Sequence, residues 1–423
     1  MSWRVGRVVV MNGRQTIMAS PGNRRGLFFG FLLLAALLFR FFVMDGMAKE
    51  VPGPRTVTLT AADGTLLKAT YFAAGKPGAG VLLLHQCNRQ RRVWDSLAER
   101  LTARGINVLT VDNRGFGESG GPRFDQLKPD EARKMMQEKW PGDFDAALQY
   151  LVSQPGVKGE AIGAGGASCG VNNSVQLARR HREVKSLVLL SGPTDRDGRL
   201  FLQASKGLSV FTAAADDDEF GNLNETMQWL CSVSSNSASR FAQYAKGGHG
   251  TDMFAANKEL PNMIAEWLRA TLTQKPGSAP KSNGSRLDPQ VVRNLELIDS
   301  AGQPGGATKL GTALTIARLR DPKAASFPEG IVNLLGYEHI QLGDTKGAVE
   351  IMKLNAMKYP SSPNVYDSLA DAYLADGQKD LARENAKKAL ELLANNTTES
   401  EARRKGIQQS VEQKLKQLDM PRP

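Results

Sequence analysis

The run Gly166-Ala167-Ser168-Cys169-Gly170 constrains this chain more than any other stretch. A serine held between two glycines fits the sharp turn that lifts a side chain off the end of a strand. A residue forced into a strained backbone conformation needs small neighbours if a strand and a helix are to pack closely on either side of it. The flanks supply both elements: Gly159 to Gly163 reads as a short buried strand, and Val171 to His181 has the length and composition of a helix. Taken alone the pattern fits a plain tight turn equally well, so the surrounding chain has to decide.

Upstream, Thr56 to Thr60 and Leu66 to Phe72 alternate in polarity around Ala62-Asp63-Gly64, a hairpin signal that predicts two paired leading strands. Val81 to Leu84 is wholly apolar, as a strand covered on both faces must be, and a helical stretch follows from Trp94 to Arg104. Asn107 to Val111 is another apolar strand, ending in Asp112-Asn113-Arg114-Gly115-Phe116-Gly117-Glu118-Ser119-Gly120. A helix over Asp143 to Ser153, the elbow strand, the helix after it and a strand over Ser186 to Leu190 continue the alternation. Such alternation predicts an α/β fold, a mostly parallel sheet with helices on both faces.

These residues resemble the α/β-hydrolase family, and more closely its dienelactone-hydrolase-like and small esterase branch, over about Thr56 to Thr273. Four features carry the resemblance in order: the His85-Gln86 turn after an apolar strand, the Asp112 to Gly117 loop, the Gly166 to Gly170 elbow, and a late Gly247-Gly248-His249-Gly250. In this family the catalytic residues follow the chain order serine, acid, histidine, which implies Ser168 as nucleophile and His249 as base. Serine needs a base to remove its proton during attack, and neutral imidazole titrates near working pH. Of the four histidines, His181 lies in a basic helix end, His339 lies far downstream, and His85 fills a family position that shapes the oxyanion loop. The acid is expected after the strand Ser209 to Ala214, where Asp216-Asp217-Asp218-Glu219 offers several carboxylates. Asp218 is expected to orient the imidazole, with Asp217 second. The resemblance further implies backbone donors to a tetrahedral oxyanion from Cys169 and from Gln86 or Cys87, with Gln86 standing where the family more often has glycine.

A rival nucleophile is Cys169, since dienelactone hydrolases themselves use a cysteine in a comparable elbow, although the glycine spacing favours Ser168. Three cysteines, Cys87, Cys169 and Cys231, neither form a metal-binding spacing nor make a disulfide framework; one bridge is possible but its pairing is open. Asp112 and Arg114 form a loop read as a brace for the sheet edge, with carboxylate clamping as the lesser alternative. Arg89, Arg91 and Arg92 are expected to make the pocket mouth basic, and a preference for anionic esters follows from that.

The termini differ from this central part. Gly26 to Phe39 is an unbroken apolar stretch after Arg24-Arg25. It is shorter than the roughly 20 residues a membrane span needs, but suits a secretory leader. Residues 1–50 are therefore expected to be a signal peptide or uncleaved membrane anchor, with the hydrolase-like part (51–273) exported to the periplasm or facing outward from the inner membrane. Residues 274–286 read as a linker rich in proline, glycine and polar side chains. In 287–423, Gly343 and Gly377, Ala348 and Ala382, and Leu335 and Leu369 recur at the ~34-residue period of tetratricopeptide repeats, most clearly over 331–395. Such a module implies a protein or peptide partner in its groove.

At 423 residues and 41% hydrophobic content, the chain can support two globular units. Its net charge of +11 is dispersed and lacks an aromatic-rich binding motif, so no nucleic-acid partner is expected, and membrane contact through the N-terminus accounts for it better. No metal or other cofactor is expected, and a small acyl substrate is. The expectation is thus a serine hydrolase acting on ester or related acyl bonds; the alternative is a catalytically inactive membrane-associated scaffold that recruits partners through its helical repeats.

Overall fold

The computed structural model describes residues 53–273, 276–300, 327–395 and 401–419. The N-terminal leader expectation and part of 287–317 lie outside the described residues. Among those described, no helix is long and apolar enough to cross a membrane.

Eight strands form one sheet in the order β1-β2-β4-β3-β5-β6-β7-β8. They are β1 (Arg55–Thr60), β2 (Leu66–Phe72), β3 (Gly78–Leu84), β4 (Asn107–Val111), β5 (Val157–Ala167), β6 (Val184–Leu190), β7 (Ser209–Ala215) and β8 (Arg240–Tyr244). The β1–β2 and β2–β4 pairs are antiparallel and every other pair is parallel. The Asp63-Gly64 turn closes the leading hairpin, with Gly64 at φ +83°. On β3 successive side chains alternate between two cores. Val81 and Leu83 pack with Trp94, Leu97, Trp267 and Leu268 of one helical layer, while Leu82 and Leu84 join Phe144, Leu148, Val171 and Val175 of the other. Burial on both faces is what makes the strand read as a continuous apolar run.

The helices, in chain order, are α1 (Asp95–Ala103), α2 (Pro129–Lys134), α3 (Trp140–Ser153), α4 (Cys169–Arg180), α5 (Arg196–Ala204), α6 (Leu223–Val233), α7 (Met253–Ala256), α8 (Leu260–Leu272), α9 (Pro289–Ser300), α10 (Glu329–Gln341), α11 (Thr345–Lys358), α12 (Pro363–Ala375), α13 (Lys379–Asn395) and α14 (Glu401–Asp419). The stretch read as a linker lies along β8: Asn283 exchanges hydrogen bonds with the Gln243 backbone, and the Gly284 amide donates to Phe241 O. It thereby covers the backbone of an edge strand that would otherwise face solvent.

Two helical hairpins, α10–α11 and α12–α13, turn at corresponding glycines, Gly343 (φ +80°) and Gly377 (φ +77°). This C-terminal region shares a core with the sheet: Leu295, Ile298, Ile331 and Leu335 belong to the same apolar cluster as Trp229 and Leu230 of α6. A buried ion cluster reinforces the contact. Arg199 on α5, stacked on Trp229, donates to Asp299 on α9 at 3.1 and 2.5 Å and to Glu338 on α10 at 2.6 Å from each of two nitrogens. Elsewhere, Arg403 on α14 donates to Asn222 Oδ1 at 2.8 Å, four residues after Asp218.

Candidate active site

β5 delivers Ser168 to the strand-to-helix junction with φ +54° and ψ −121°, a conformation that L side chains rarely adopt. Close packing explains the glycines around it. A Cβ on Gly166 would fall 1.8 Å from Gly170 O, and one on Gly170 would fall 2.6 Å from Leu84 O, so helix α4 can approach β3 and β5 only with hydrogen at both positions. The Ser168 amide donates to Leu190 O at 2.8 Å, which fixes the elbow to β6.

The next strand but one, β7, ends in the acidic run, and its two central carboxylates have different tasks. Buried Asp218 places Oδ1 and Oδ2 at 3.0 and 2.9 Å from His249 Nδ1. Exposed Asp217 instead accepts the amides of Gly247 and Gly248, both at 2.8 Å, and so shapes the loop that presents the histidine. Phe220 covers the ring of His249 at 4.5 Å between centroids. The opposite ring nitrogen, Nε2, is buried and has no hydrogen-bond partner, so the structure joins His249 to Asp218 and forms no hydrogen bond from Nε2 to Ser168 Oγ. The histidine loop nonetheless adjoins the elbow: a Cβ on Gly250 would lie 3.3 Å from that of Ala167.

Gln86, which stands in place of the family's usual glycine, holds this loop from the other side. Its Oε1 accepts the amide and the hydroxyl of Thr251, both at 2.9 Å, and its Nε2 donates to His249 O at 3.4 Å. Sequence reasoning assigned Gln86 a backbone role alone; its side-chain role depends on a partner 165 positions away. His85 closes the base of the same turn. Its Nδ1 lies 2.7 Å from Gln86 O and its Nε2 lies 3.0 Å from the Asn113 amide nitrogen. Since an amide can only donate, Nε2 accepts and Nδ1 carries the proton. Burial pushes the His85 imidazole below its usual range, in keeping with a neutral ring.

Cys87 and Cys169 form a disulfide, their Cα atoms 5.9 Å apart. This answers the pairing left open by the sequence and overturns the cysteine-nucleophile reading, because a sulfur in a disulfide offers no thiolate. Cys231 remains a buried free thiol, pushed up to about 11 by desolvation.

The arginines divide as well. Arg91 is not at the pocket mouth as expected; it is buried in ion pairs with Asp112 and Glu118. The 3-10 turn Arg91–Trp94 points it inward, while Arg89 and Arg92 line an open cavity of about 430 Å³ together with Cys87, Phe116, Arg123 and Asp125. Arg89 is tied to Asp252 at 2.7 Å. Arg114 braces the loop: it binds Asp143 at 2.7 and 2.9 Å and Asp63 at 2.8 and 3.0 Å.

A mostly parallel eight-stranded sheet, helices on both faces and a serine elbow between strand and helix define the α/β-hydrolase fold. Residues 75–230 match the family model described as serine aminopeptidase, S33. Among known proteins the chain is similar to thiohydrolase aneE of Aspergillus aculeatus, 27% identical over 135 residues, which cover 31% of this chain and 39% of that one. The chain thus spans under half the length of this relative. Among solved structures, the Pyrococcus furiosus esterase Pf2001 is 18% identical and aligns over 51% of this chain and 92% of its own, with a TM-score of 0.41. EstE1, a thermophilic carboxylesterase cloned from a metagenomic library, is 16% identical and aligns over 57% and 97%, with a TM-score of 0.41.

Proposed function

We propose that this chain is an exported serine hydrolase that cleaves an ester or related acyl bond, thioesters included, through an acyl-enzyme. The observation that carries the reading is a strained serine at a strand-to-helix elbow, next to a loop whose histidine binds a buried carboxylate through Nδ1 and leaves Nε2 open. In the reaction, Ser168 Oγ attacks the carbonyl carbon while His249 Nε2 takes its proton. Asp218 holds Nδ1–H and stabilises the imidazolium that forms. The tetrahedral oxyanion is met by the amide of Cys169 and by that of Gln86 or Cys87. His249 then protonates the leaving group, and water repeats the sequence to release the acid. A short closure of the histidine loop supplies the Oγ to Nε2 contact, since such contacts often tighten only with substrate bound.

The test is direct. The chain without its first 50 residues, incubated with a fluorophosphonate and with short acyl esters, a thioester and an aminoacyl amide, should label and turn over at least one acyl class. Ser168→Ala should abolish both; labelling that persists in that variant refutes the assignment. A scaffold without catalysis is the lesser reading, because neither the family match nor the fungal relative favours it.

Two further parts of the reading have specific supports. Export is supported by the apolar leader and by a disulfide, a bond that persists in oxidising compartments. Matched glycine turns in two successive helical hairpins support a tetratricopeptide-like module. The acyl substrate is proposed to carry a negative charge, because Arg92 and Arg123 line the same cavity as Cys87, which is bonded to the residue after Ser168. Equal hydrolysis of neutral and carboxylate-bearing esters would remove that preference.

A further inference from the structure

An oxyanion hole needs two N–H donors at a fixed separation before the charge appears, and its contribution falls steeply when one donor drifts. Here the candidate donors come from chain segments far apart in sequence. One is the residue after Ser168, at the start of α4, and the other lies in the turn after β3. The Cys87–Cys169 disulfide joins these two segments across a sequence separation of 82. It connects the residue directly following the nucleophile to the loop that faces it. On the opposite side the segments are already pressed together, since Gly170 approaches the carbonyls of Leu84 and His85 to the limit that hydrogen allows. The rest of the turn is fixed by the His85 ring and the Gln86 side chain, both buried. Residues beyond Cys87 are exposed, from Asn88 to Gln90. Without the bond, Cys87 becomes the first residue of that exposed stretch.

We propose that the Cys87–Cys169 disulfide is a positioning element of the oxyanion hole, so that hydrolysis runs at full rate only in the oxidised protein. The proposal rests on the serine-hydrolase reading and adds to it a redox requirement at the same site. Both cysteines are half-buried rather than enclosed, and Cys87 lines the open cavity, so a small dithiol can reach the bond. Its thiolate attacks one sulfur and forms a mixed disulfide; its second thiol then closes on the first. The dithiol leaves as a cyclic disulfide, two electrons richer by the same count are Cys87 and Cys169, and each ends as a thiol with one proton taken from the dithiol. Cys231 takes no part, being buried with its thiol pushed up to about 11.

The experiment compares the oxidised chain, the chain after native treatment with dithiothreitol, and the same sample reoxidised with oxidised glutathione. Alkylation under native conditions should count no thiols, then two, then none. On a short acyl ester, reduction should lower kcat by about 10- to 100-fold and change KM by less than about threefold, as expected when a transition-state donor is misplaced. Affinity for a trifluoromethyl ketone should fall in parallel with kcat, and reoxidation should restore both. The Cys87→Ala/Cys169→Ala double variant should behave like the reduced protein and ignore dithiothreitol. A bond that only staples the fold would lower Tm and leave kcat within twofold at a temperature well below unfolding; that result overturns the proposal. Loss of activity in step with loss of circular dichroism overturns it too, and the reduced wild type decides this even where the double variant fails to fold. Equal turnover in both redox forms refutes the redox requirement alone, whereas no turnover and no fluorophosphonate labelling of the oxidised protein refutes the hydrolase reading beneath it.

Discussion

His85 and His249 are both buried, at 0% and 4% exposure, and both sit within one loop of the elbow, yet their hydrogen bonding differs in kind. His85 has both nitrogens occupied by backbone groups, Gln86 O and the Asn113 amide. His249 has one nitrogen on Asp218 and the other without a partner. Burying a polar atom without a partner costs on the order of 1–3 kcal/mol, a cost that the His85 ring avoids and the His249 ring bears. A ring satisfied on both sides serves the architecture. A ring bound on one side only has the free nitrogen that the base of the proposed reaction requires.

The sharpest way to break this contrast is to remove the open ring. His249→Ala should lower kcat/KM on an acyl ester by about 10⁴-fold and also lower Tm, because it leaves the buried Asp218 carboxylate without its ring partner, and Asp218→Asn should cost about 10³- to 10⁴-fold, because the imidazole then loses its tautomer control. Ester kinetics and thermal unfolding on the same samples check both. A loss under tenfold in either variant would mean that the open nitrogen is not the base.

Arg199 is the opposite extreme, a buried cation with every donor direction answered by Asp299, Glu338, Thr194 O and the face of Trp229. Arg199→Leu leaves two carboxylates facing each other between sheet and helical region. Urea unfolding should show a loss of about 3–5 kcal/mol, the cost of breaking a buried pair by removing one partner. A loss below about 1 kcal/mol would show that the helical region does not depend on this cluster.

Removing the closed ring should act on stability first. His85→Gln should cost about 1–3 kcal/mol through two disrupted buried hydrogen bonds. The pH dependence gives a second reading. Burial lowers the folded-state pKa of His85, so as pH falls below about 6.5 the unfolded chain takes up a proton that the folded chain refuses. The stability contributed by the neutral ring is therefore present above that pH and is lost as pH falls through the window beneath it. Urea midpoints of the wild type should drop more steeply from pH 6.5 to 5 than those of His85→Gln, and parallel slopes would mean that His85 is protonated in the fold.

Much of this arrangement was legible in the chain because its signals are local. Most buried strands declare themselves as apolar runs, whereas β8, with Arg240 and Gln243 in its five residues, gives no such signal, and Gly166 marks the elbow through a packing limit against Gly170 that acts within five residues. What the sequence left dark depends on side chains meeting across the sheet. Three arginines at 89, 91 and 92 look equivalent in sequence, and only the 3-10 turn that buries Arg91 against Asp112 separates them. The Cys87–Cys169 bond spans 82 residues and has no spacing signature, and Gln86 acquires its side-chain role from Thr251. The linker composition signalled little burial, yet its Asn283 side chain and Gly284 amide found partners along β8, because an open strand edge offers hydrogen bonds to whatever polar chain passes by.

The smallest effect separates the two neighbouring aspartates, which sequence alone could only rank. Asp218 touches the ring, whereas Asp217 touches the two glycine amides that precede it. Asp217→Asn keeps an oxygen able to accept both amides and removes only the charge that strengthens those bonds, at an exposed position where that charge counts for less. Its kcat/KM should therefore fall by about 3- to 10-fold, with Asp217→Ala lower still, because alanine frees the Gly247–Gly248 backbone to drift and carries His249 with it. A steady-state comparison of Asp217→Asn, Asp217→Ala and Asp218→Asn on one ester orders the three. If Asp217→Asn equals Asp218→Asn in its loss, the loop carboxylate contributes directly to the charge on the imidazole, and the division of labour between holding the loop and orienting the ring does not hold.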